Sequence, residues 1–432
     1  MKQNMLLVYT HKITPRFTYI MKHVFTNMLR IEVSLTTKIE DFIKHAGAKI
    51  TYTKQPLQNE FFIKSHDLLY EQGIRDIDIK VQQWGDIPCF FQTNEKSAIP
   101  FDVFAASFYL ISRYEEYLPH VKDMHGRYSV NDSIAYQNGF LDKPIVDIWV
   151  AKLKQALLKR FPYLVLPKKE FKHISLIDVS VSHCYKERGI IRSFGGVLID
   201  LFSFRIKRTF SRLVVLLGIR KDPYDNFQEL VKEHQKHKIN AIFFFLFADY
   251  SNYDKNISVN NNRFRYLIKS IADYDTVSLM ASYDSFKNVN VLKRDRTRFI
   301  DLIKRPVKEI RLRYNRVDIP ESYRNLVNAE FSRDYSMGYR LQEGFRAGTC
   351  TPFSFYDISF EMQLPLKVNP FCVEDYSLVK YKNLEQAKSV LNKLKEEVAK
   401  VNGTFITVFS NEMIGGYKND FIKQLYLELI KE

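Results

Sequence analysis

Apolar positions along the chain switch between the helical and the extended period, and the switches outline its elements. Met5 to Tyr9 is a short apolar run that reads as a strand. Pro15 opens an amphipathic helix to about Leu29, since Pro is tolerated in a first turn. Arg30 to Leu35 alternates as a strand does, and Lys49 to Tyr52 can pair with it. Asp102 is placed to cap a helix through Phe104, Phe108, Tyr109, Ile111 and Leu118, with Arg113, Glu115 and Glu116 on its wetter side. After Pro144, the residues Ile145, Ile148, Trp149, Leu153, Ala156 and Leu157 recur at helical spacing. These elements predict an α/β module over residues 1–165. Phe161 to Glu170, with Pro162, Pro167 and consecutive charged residues, marks its boundary.

From residue 171 to 432 the alternation becomes regular. His173 to Val179 reads as a buried strand running into a polar turn, with Asp178 where apolar residues give way to polar ones. Asp222-Pro223 starts a helix through Phe227, Leu230 and Val231. Asn240 to Phe247 has the continuous apolar character of a strand buried on both faces. A helix follows through Phe264, Leu267, Ile268 and Ile271, then a strand from Thr276 to Met280 and a helix around Phe299 and Leu302. Val307 to Tyr314 alternates apolar and charged residues, and Pro320 opens a helix toward Leu326. Leu384 to Val401 is amphipathic and stops at Asn402-Gly403; Thr404 to Phe409 is the last strand, and a short helix around Phe421 to Ile430 closes the chain. Strand–helix repetition of this kind predicts a parallel sheet or barrel, with chemistry at the C-terminal ends of the strands. Asp178, Tyr283 and Ser410 would sit there.

One segment breaks the pattern. Ile190 to Lys221 carries seven Arg or Lys against one acid, Asp200, among many apolar residues. It reads either as a basic amphipathic element able to lie in an anionic membrane interface, or as an insertion packed on the protein's own surface or on a partner. The whole chain has a formal charge of +16, which favours anionic partners such as acidic glycans or lipid headgroups. Zinc-finger spacing, recognition-motif aromatics and a Gly-rich phosphate loop are all missing, so nucleic acid is not expected. Four scattered cysteines without metal or redox spacing, a start that meets Thr10-His11-Lys12 at once, and no apolar run of membrane-spanning length predict a cytoplasmic protein, peripheral to a membrane at most.

The stretch Asp334 to Phe353 has glycines at 338, 344 and 348, with Arg346 between two of them. It reads either as a loop that places one side chain in a pocket, or as a structural turn with Arg346 paired to a nearby carboxylate.

Longer motifs are more specific. Leu176-Ile-Asp-Val-Ser180 with Tyr185-Lys186 and Gly189, Asp222-Pro-Tyr-Asp225, Tyr253-Asp-Lys-Asn256, Asp318 to Leu326, Asp334 to Asp357, Val401 to Phe405 and Phe409 to Glu412 together resemble the polysaccharide deacetylases. Tyr9 to Pro15 and Ser112 to Leu118 are similar to the subgroup with an extra N-terminal α/β module. The resemblance implies a distorted (β/α)7-type barrel preceded by the smaller α/β domain. It also implies metal-assisted removal of an acetyl group from a sugar. Carried over by position, it makes Asp178 the base, Arg346 the residue that orients it and Asp375 the carboxylate partner of the charged cluster.

The departures from that pattern are severe. The metal-ligand Asp is Ser180, one ligand His is Met280, the other is Arg313, and the general-acid His is Ser410. All ten histidines lie at or before His237, so the later strands carry no imidazole. A hydroxyl, a thioether and a guanidinium are poor ligands for a hard divalent cation. Arg313 in place of the metal would still neutralise Asp178.

The expected protein is therefore a non-catalytic carbohydrate-binding or scaffolding subunit of surface-glycan biosynthesis. A remnant cluster of Asp178, Arg346 and Asp375 would line its groove, with Tyr283 and Tyr339 stacking on acidic or acetylated sugars. No cofactor is expected. Two alternatives stay open: an active deacetylase with a rewired centre, in which His183 or His173 pairs with Asp178 for general-base work or His234 and His237 chelate zinc or another divalent metal, and a peripheral membrane adaptor.

Overall fold

The computed structural model describes residues 5–204, 206–416 and 420–431, and for 190–194 the backbone alone. The first module is built on four parallel strands in the order β2-β1-β3-β4: β1 (Met5–Tyr9), β2 (Glu32–Thr36), β3 (Lys49–Thr53) and β4 (Phe61–Lys64). The predicted first helix is two periods joined end to end. Pro15–Met21 is α-helical, with the Thr14 hydroxyl accepting from Phe17 N–H, and Lys22–Met28 is wound as a π-helix. A hairpin of β5 (Gln82–Trp84) and β6 (Ile87–Cys89) follows. Asp102 caps the Val103–Ile111 helix by accepting from the N–H groups of Phe104 and Ala105. That helix stops seven residues before Leu118. Arg113 takes a left-handed φ of 56°, and the trio expected on a wet face, Arg113, Glu115 and Glu116, is buried instead.

The second sheet has nine strands in the order β12-β13-β11-β10-β9-β8-β7-β15-β14. They are β7 (Lys172–Val179), β8 (Asn240–Leu246), β9 (Thr276–Ala281), β10 (Glu309–Leu312), β11 (Arg333–Asp334), β12 (Phe353–Asp357), β13 (Met362–Val368), β14 (Val373–Glu374) and β15 (Thr404–Ser410). Every neighbouring pair is parallel except β12 with β13. Among the described residues no backbone pairing joins β12 to β14, so the observed architecture is mixed α/β with a large parallel-rich sheet. Helices Phe227–His237, Asn262–Ala272, Val289–Ile303 and Leu384–Lys400 lie between successive strands, as the apolar periodicity predicts.

Alternation along β7 shows why these strands are apolar throughout. Ile177 and Val179 belong to the main core, shared with the helices, whereas Leu176 packs on the opposite face with Ile242, Phe244, Met280, Tyr335, Phe371 and Ile406. Both faces are buried, as in parallel sheets generally. Asp178 stands two residues beyond Leu176 and therefore emerges on that second face, at the C-terminal end of the strand.

The two modules share one hydrophobic core, which runs from Leu6 to Ile430. Polar contacts reinforce the seam. Tyr19 donates its hydroxyl proton to the Ser354 carbonyl at 2.7 Å, Arg16 donates to Glu361 at 2.9 Å, and Asp147 accepts from the Thr349 hydroxyl at 2.6 Å and from Cys350 N–H at 3.0 Å.

Candidate functional site

The strand ends of the second sheet converge on an arginine. Arg311 of β10 is 1% exposed, and its Nε lies 2.8 Å from both carboxylate oxygens of Asp178. Its Nη1 donates to the Tyr335 carbonyl at 2.7 Å and its Nη2 to Glu374 at 3.1 Å, while the guanidinium carbon sits 4.7 Å from the centre of the Phe371 ring. Glu374 also pairs with Arg340 at 3.0 Å and accepts from the Asn315 amide at 2.5 Å. A buried ion network of this kind is retained only when its donors and acceptors are matched, because each uncompensated charge costs several kcal/mol. Burial raises the Asp178 carboxyl above its ordinary value, against the pull of Arg311.

Asp375 follows Glu374 and turns toward Ser410, whose N–H and hydroxyl donate to one carboxylate oxygen at 2.6 and 2.7 Å. Burial first, and then the charge of Glu374, push its carboxyl up to about 7, against the two Ser410 bonds.

The other three departing positions meet one another. The Ser180 hydroxyl is 3.7 Å from the Met280 sulfur, and Arg313 Nη1 is 3.8 Å from the same sulfur. Arg313 does not neutralise Asp178. It lies beyond the end of β10, with its Nε 2.8 Å from Asp254 and its Nη2 donating to the Tyr253 carbonyl at 3.1 Å. Arg311 takes the role expected of it, because Arg311 and Arg313 share a face of the strand and only Arg311 is deep enough to reach Asp178.

A divalent metal does not fit this donor set. Asp178 and Asp254 are each committed to a guanidinium, and the side chains between them are a hydroxyl and a thioether. Among the described residues no group of three His, Cys, Asp or Glu side chains could hold an ion.

Arg346 is elsewhere. It pairs with Glu116 of the first module, Nε to Oε1 at 2.9 Å and Nη2 to Oε2 at 2.6 Å, and Arg113 joins the same carboxylate at 2.7 Å. Asp178, Arg346 and Asp375 therefore do not form one cluster. Of the two readings of the 334–353 stretch, the structural turn with a carboxylate partner is the one observed. Gly344, at φ +131°, passes against the Leu141 backbone, and Gly348, at φ +64°, against Leu110, so these glycines serve the contact between modules.

Tyr339 and Tyr283 are both unsuited to stacking on a sugar. Tyr339 is buried beside Arg346, with the guanidinium carbon 5.5 Å from its ring centre. Tyr283 has both faces covered: the Tyr253 ring lies 3.9 Å away at 17°, and the Arg316 guanidinium 3.8 Å away must occupy the other face. The exposed ring is Tyr253, 43% exposed, with the His125 ring near-perpendicular to it at 6.3 Å. Around it stand His125 of the first module and Tyr314, stacked on each other with ring centres 5.1 Å apart. Tyr314 and Asn315 adopt consecutive left-handed conformations, φ 58° and 54°, unusual for residues other than glycine. This turn lets Asn315 reach Glu374 while Tyr314 reaches His125.

The histidine alternatives dissolve for separate reasons. His234 is buried, bridging Asp275 at 3.1 Å and the Tyr426 hydroxyl at 2.6 Å, so it forms no chelating pair with His237. His173 faces Thr407, and burial lowers its pKa to about 4. His183 contacts the Ser182 hydroxyl and lines a cavity of about 680 Å³ between the helices Phe227–His237 and Asn262–Ala272. None of that cavity's lining residues belongs to the Asp178–Arg311–Glu374 network.

Fold and site thus define a mixed α/β protein with an arginine-centred ion network at its strand ends. Residues 6–162 match the model of a family of unknown function (DUF7033). No curated protein matches the chain. Among solved structures, a protein described as a polysaccharide deacetylase from Mycobacterium smegmatis is similar at 11% identity and a TM-score of 0.41, over 62% of this chain and 86% of that one. The polysaccharide deacetylase from Bacillus cereus gives 12% and 0.31, over 61% and 85%. One from Bordetella bronchiseptica, described as involved in O-antigen biosynthesis, gives 9% and 0.33, over 60% and 80%. These likenesses are partial and distant, and the residue roles rest on this chain's own geometry.

Proposed function

We propose that this chain is a carbohydrate-directed protein of surface-glycan assembly that binds or scaffolds saccharide at the strand ends and performs no metal-assisted hydrolysis. The observation that carries the reading is Arg311. Its Nε lies 2.8 Å from both oxygens of Asp178, and the guanidinium charge lowers that carboxylate's affinity for a proton, which weakens it as a general base. Its fixed positive charge also repels a divalent cation from the same carboxylate. The exposed Tyr253 ring, supported from beneath by Tyr283, supplies an apolar platform of the kind that packs on sugar faces.

One observation favours a second reading, a hydrolase with a remodelled centre: Asp375, pushed up to about 7 and bonded to Ser410, could exchange a proton near neutrality. An experiment separates the two. Purified full-length protein is titrated with N-acetylated hexosamine oligosaccharides, and released acetate is measured with and without added zinc. Binding without acetate release, weakened about three- to tenfold by Tyr253→Ala, is the expected result. Acetate release that Asp178→Asn or Ser410→Ala abolishes would overturn it.

A further inference from the structure

The 190–221 segment folds as a helical hairpin, Ile190–Phe202 followed by Ile206–Leu216. It leaves the sheet directly after β7, at the end that carries Asp178, and its root is fixed. The Asp222 carboxylate accepts from the N–H groups of Cys184, Tyr185 and Lys186 at 2.7, 2.8 and 3.0 Å, joining the entering and leaving strands of chain. Inside the hairpin, buried Asp200 pairs with Arg212 at 2.6 Å, and the Arg212 guanidinium lies over the Tyr185 ring at 5.0 Å. These contacts join the second helix to the first and to the body of the protein.

The far end exposes large apolar side chains. Phe202 and Phe204 are 83% and 87% exposed, and Ile206 and Phe210 are exposed with them, while Leu217 and Ile219 are exposed past the end of the second helix, toward the root. Lys207 and Arg208 are exposed at the tip, and Arg220 and Lys221 beside Leu217 and Ile219. The hairpin's single acid, Asp200, is buried in its pairing with Arg212, with Arg208 Nε 3.6 Å from its other oxygen, so the exposed surface presents apolar groups and an excess of cations. Isolated exposed apolar residues are normal on protein surfaces, but a contiguous group rimmed by cations marks an interaction site.

We infer that this hairpin is an interfacial anchor, whose aromatic tip enters the headgroup–acyl boundary of a bilayer rich in anionic phospholipid while its Lys and Arg residues meet the headgroups. Charge complementarity selects this occupant. Length agrees: among the described residues no helix is long and apolar enough to cross a membrane, so the hairpin lies in the interface. Since it springs from the β7 end, it would hold the Asp178 face of the sheet near the lipid surface. This inference stands whatever the strand ends bind.

The test is vesicle flotation of the full chain with phosphatidylcholine alone and with phosphatidylcholine plus phosphatidylglycerol. The protein should float with the anionic vesicles only and be released by high salt. Lys207→Gln with Arg208→Gln should lower partitioning by about tenfold or more, and so should Phe202→Ser with Phe204→Ser. All four side chains are exposed and Asp200 keeps Arg212 at 2.6 Å, so both variants should keep the thermal midpoint of the parent. Equal binding to neutral vesicles, or flotation untouched by either pair, would overturn the inference. So would concentration-dependent self-association, lost in the Phe202→Ser/Phe204→Ser variant, in a protein that binds no vesicle, because the occupant of the tip would then be a second copy of the chain.

Discussion

A single guanidinium decides the chemistry of the strand ends. Arg311 spends its donors on Asp178, Glu374 and the Tyr335 carbonyl, and among the described residues Asp178 pairs with no other cation. Arg311→Met should therefore leave a buried carboxylate uncompensated and lower stability by about 3–5 kcal/mol. Arg311→Met combined with Asp178→Asn should recover part of that loss, since Glu374 keeps Arg340 and Asn315. Denaturant unfolding of the two variants checks this; an Arg311→Met protein as stable as the parent would mean the network is not what the geometry shows. Asp375 adds a pH signature. Its folded pKa of about 7 lies above the ordinary 3.8, so folding takes up a proton between those values. The associated stability is fully present below about pH 4 and is lost as the pH rises through about 7. Asp375→Asn has no such dependence and should gain on the parent by roughly 2–4 kcal/mol between pH 4 and 8. A constant difference between the two proteins over that range would remove the assignment.

At the scale of elements, legibility follows length. β7, β8, β9 and β15 are six to eight residues of nearly unbroken apolar sequence, and the helices between them keep a clear apolar stripe, so periodicity locates them. β11 and β14 have two residues each and carry no period at all. That β14 is so short matters, because it brings Glu374 and Asp375 to the site. Positions 180, 280 and 313 do meet in space, yet the arginine facing Asp178 is two residues from the one the family pattern points to. A signal was present: Ile310 and Leu312 face the main core, which sends Arg311 to the opposite, equally buried face, where an arginine requires a carboxylate. The glycine-rich stretch misleads for the reverse reason. Constraint on a backbone looks alike in sequence whether it serves a pocket or a seam between modules. Gly344→Ala distinguishes them. Its φ of +131° and the Leu141 carbonyl oxygen 2.6 Å from an added Cβ should cost at least about 1–3 kcal/mol of stability, with saccharide affinity of the folded protein unchanged. Lost affinity at full stability would return the stretch to the site.

For the molecule as a whole, the question is whether a two-module sequence makes a two-part protein. Buried charge crosses the seam in two places: Arg346 reaches Glu116, and Arg16 reaches Glu361. The first module also forms part of the site's rim. Arg316 donates to the His125 carbonyl at 2.8 Å, Arg127 to the Tyr314 carbonyl at 3.2 Å, and Lys122 pairs with Asp318 at 2.6 Å, so the 120–128 loop braces the turn that carries Tyr314 and Asn315. Separating the modules would expose a continuous apolar core and leave Glu116 with only part of its compensation. Neither unit should then persist when the other unfolds. Differential scanning calorimetry of the full chain should show one transition whose van't Hoff and calorimetric enthalpies agree. Arg346→Met should move that single transition to lower temperature without splitting it. Two resolved transitions in the parent protein would show that the first module is an appendage and that its loop does not stabilise the turn beside Tyr253.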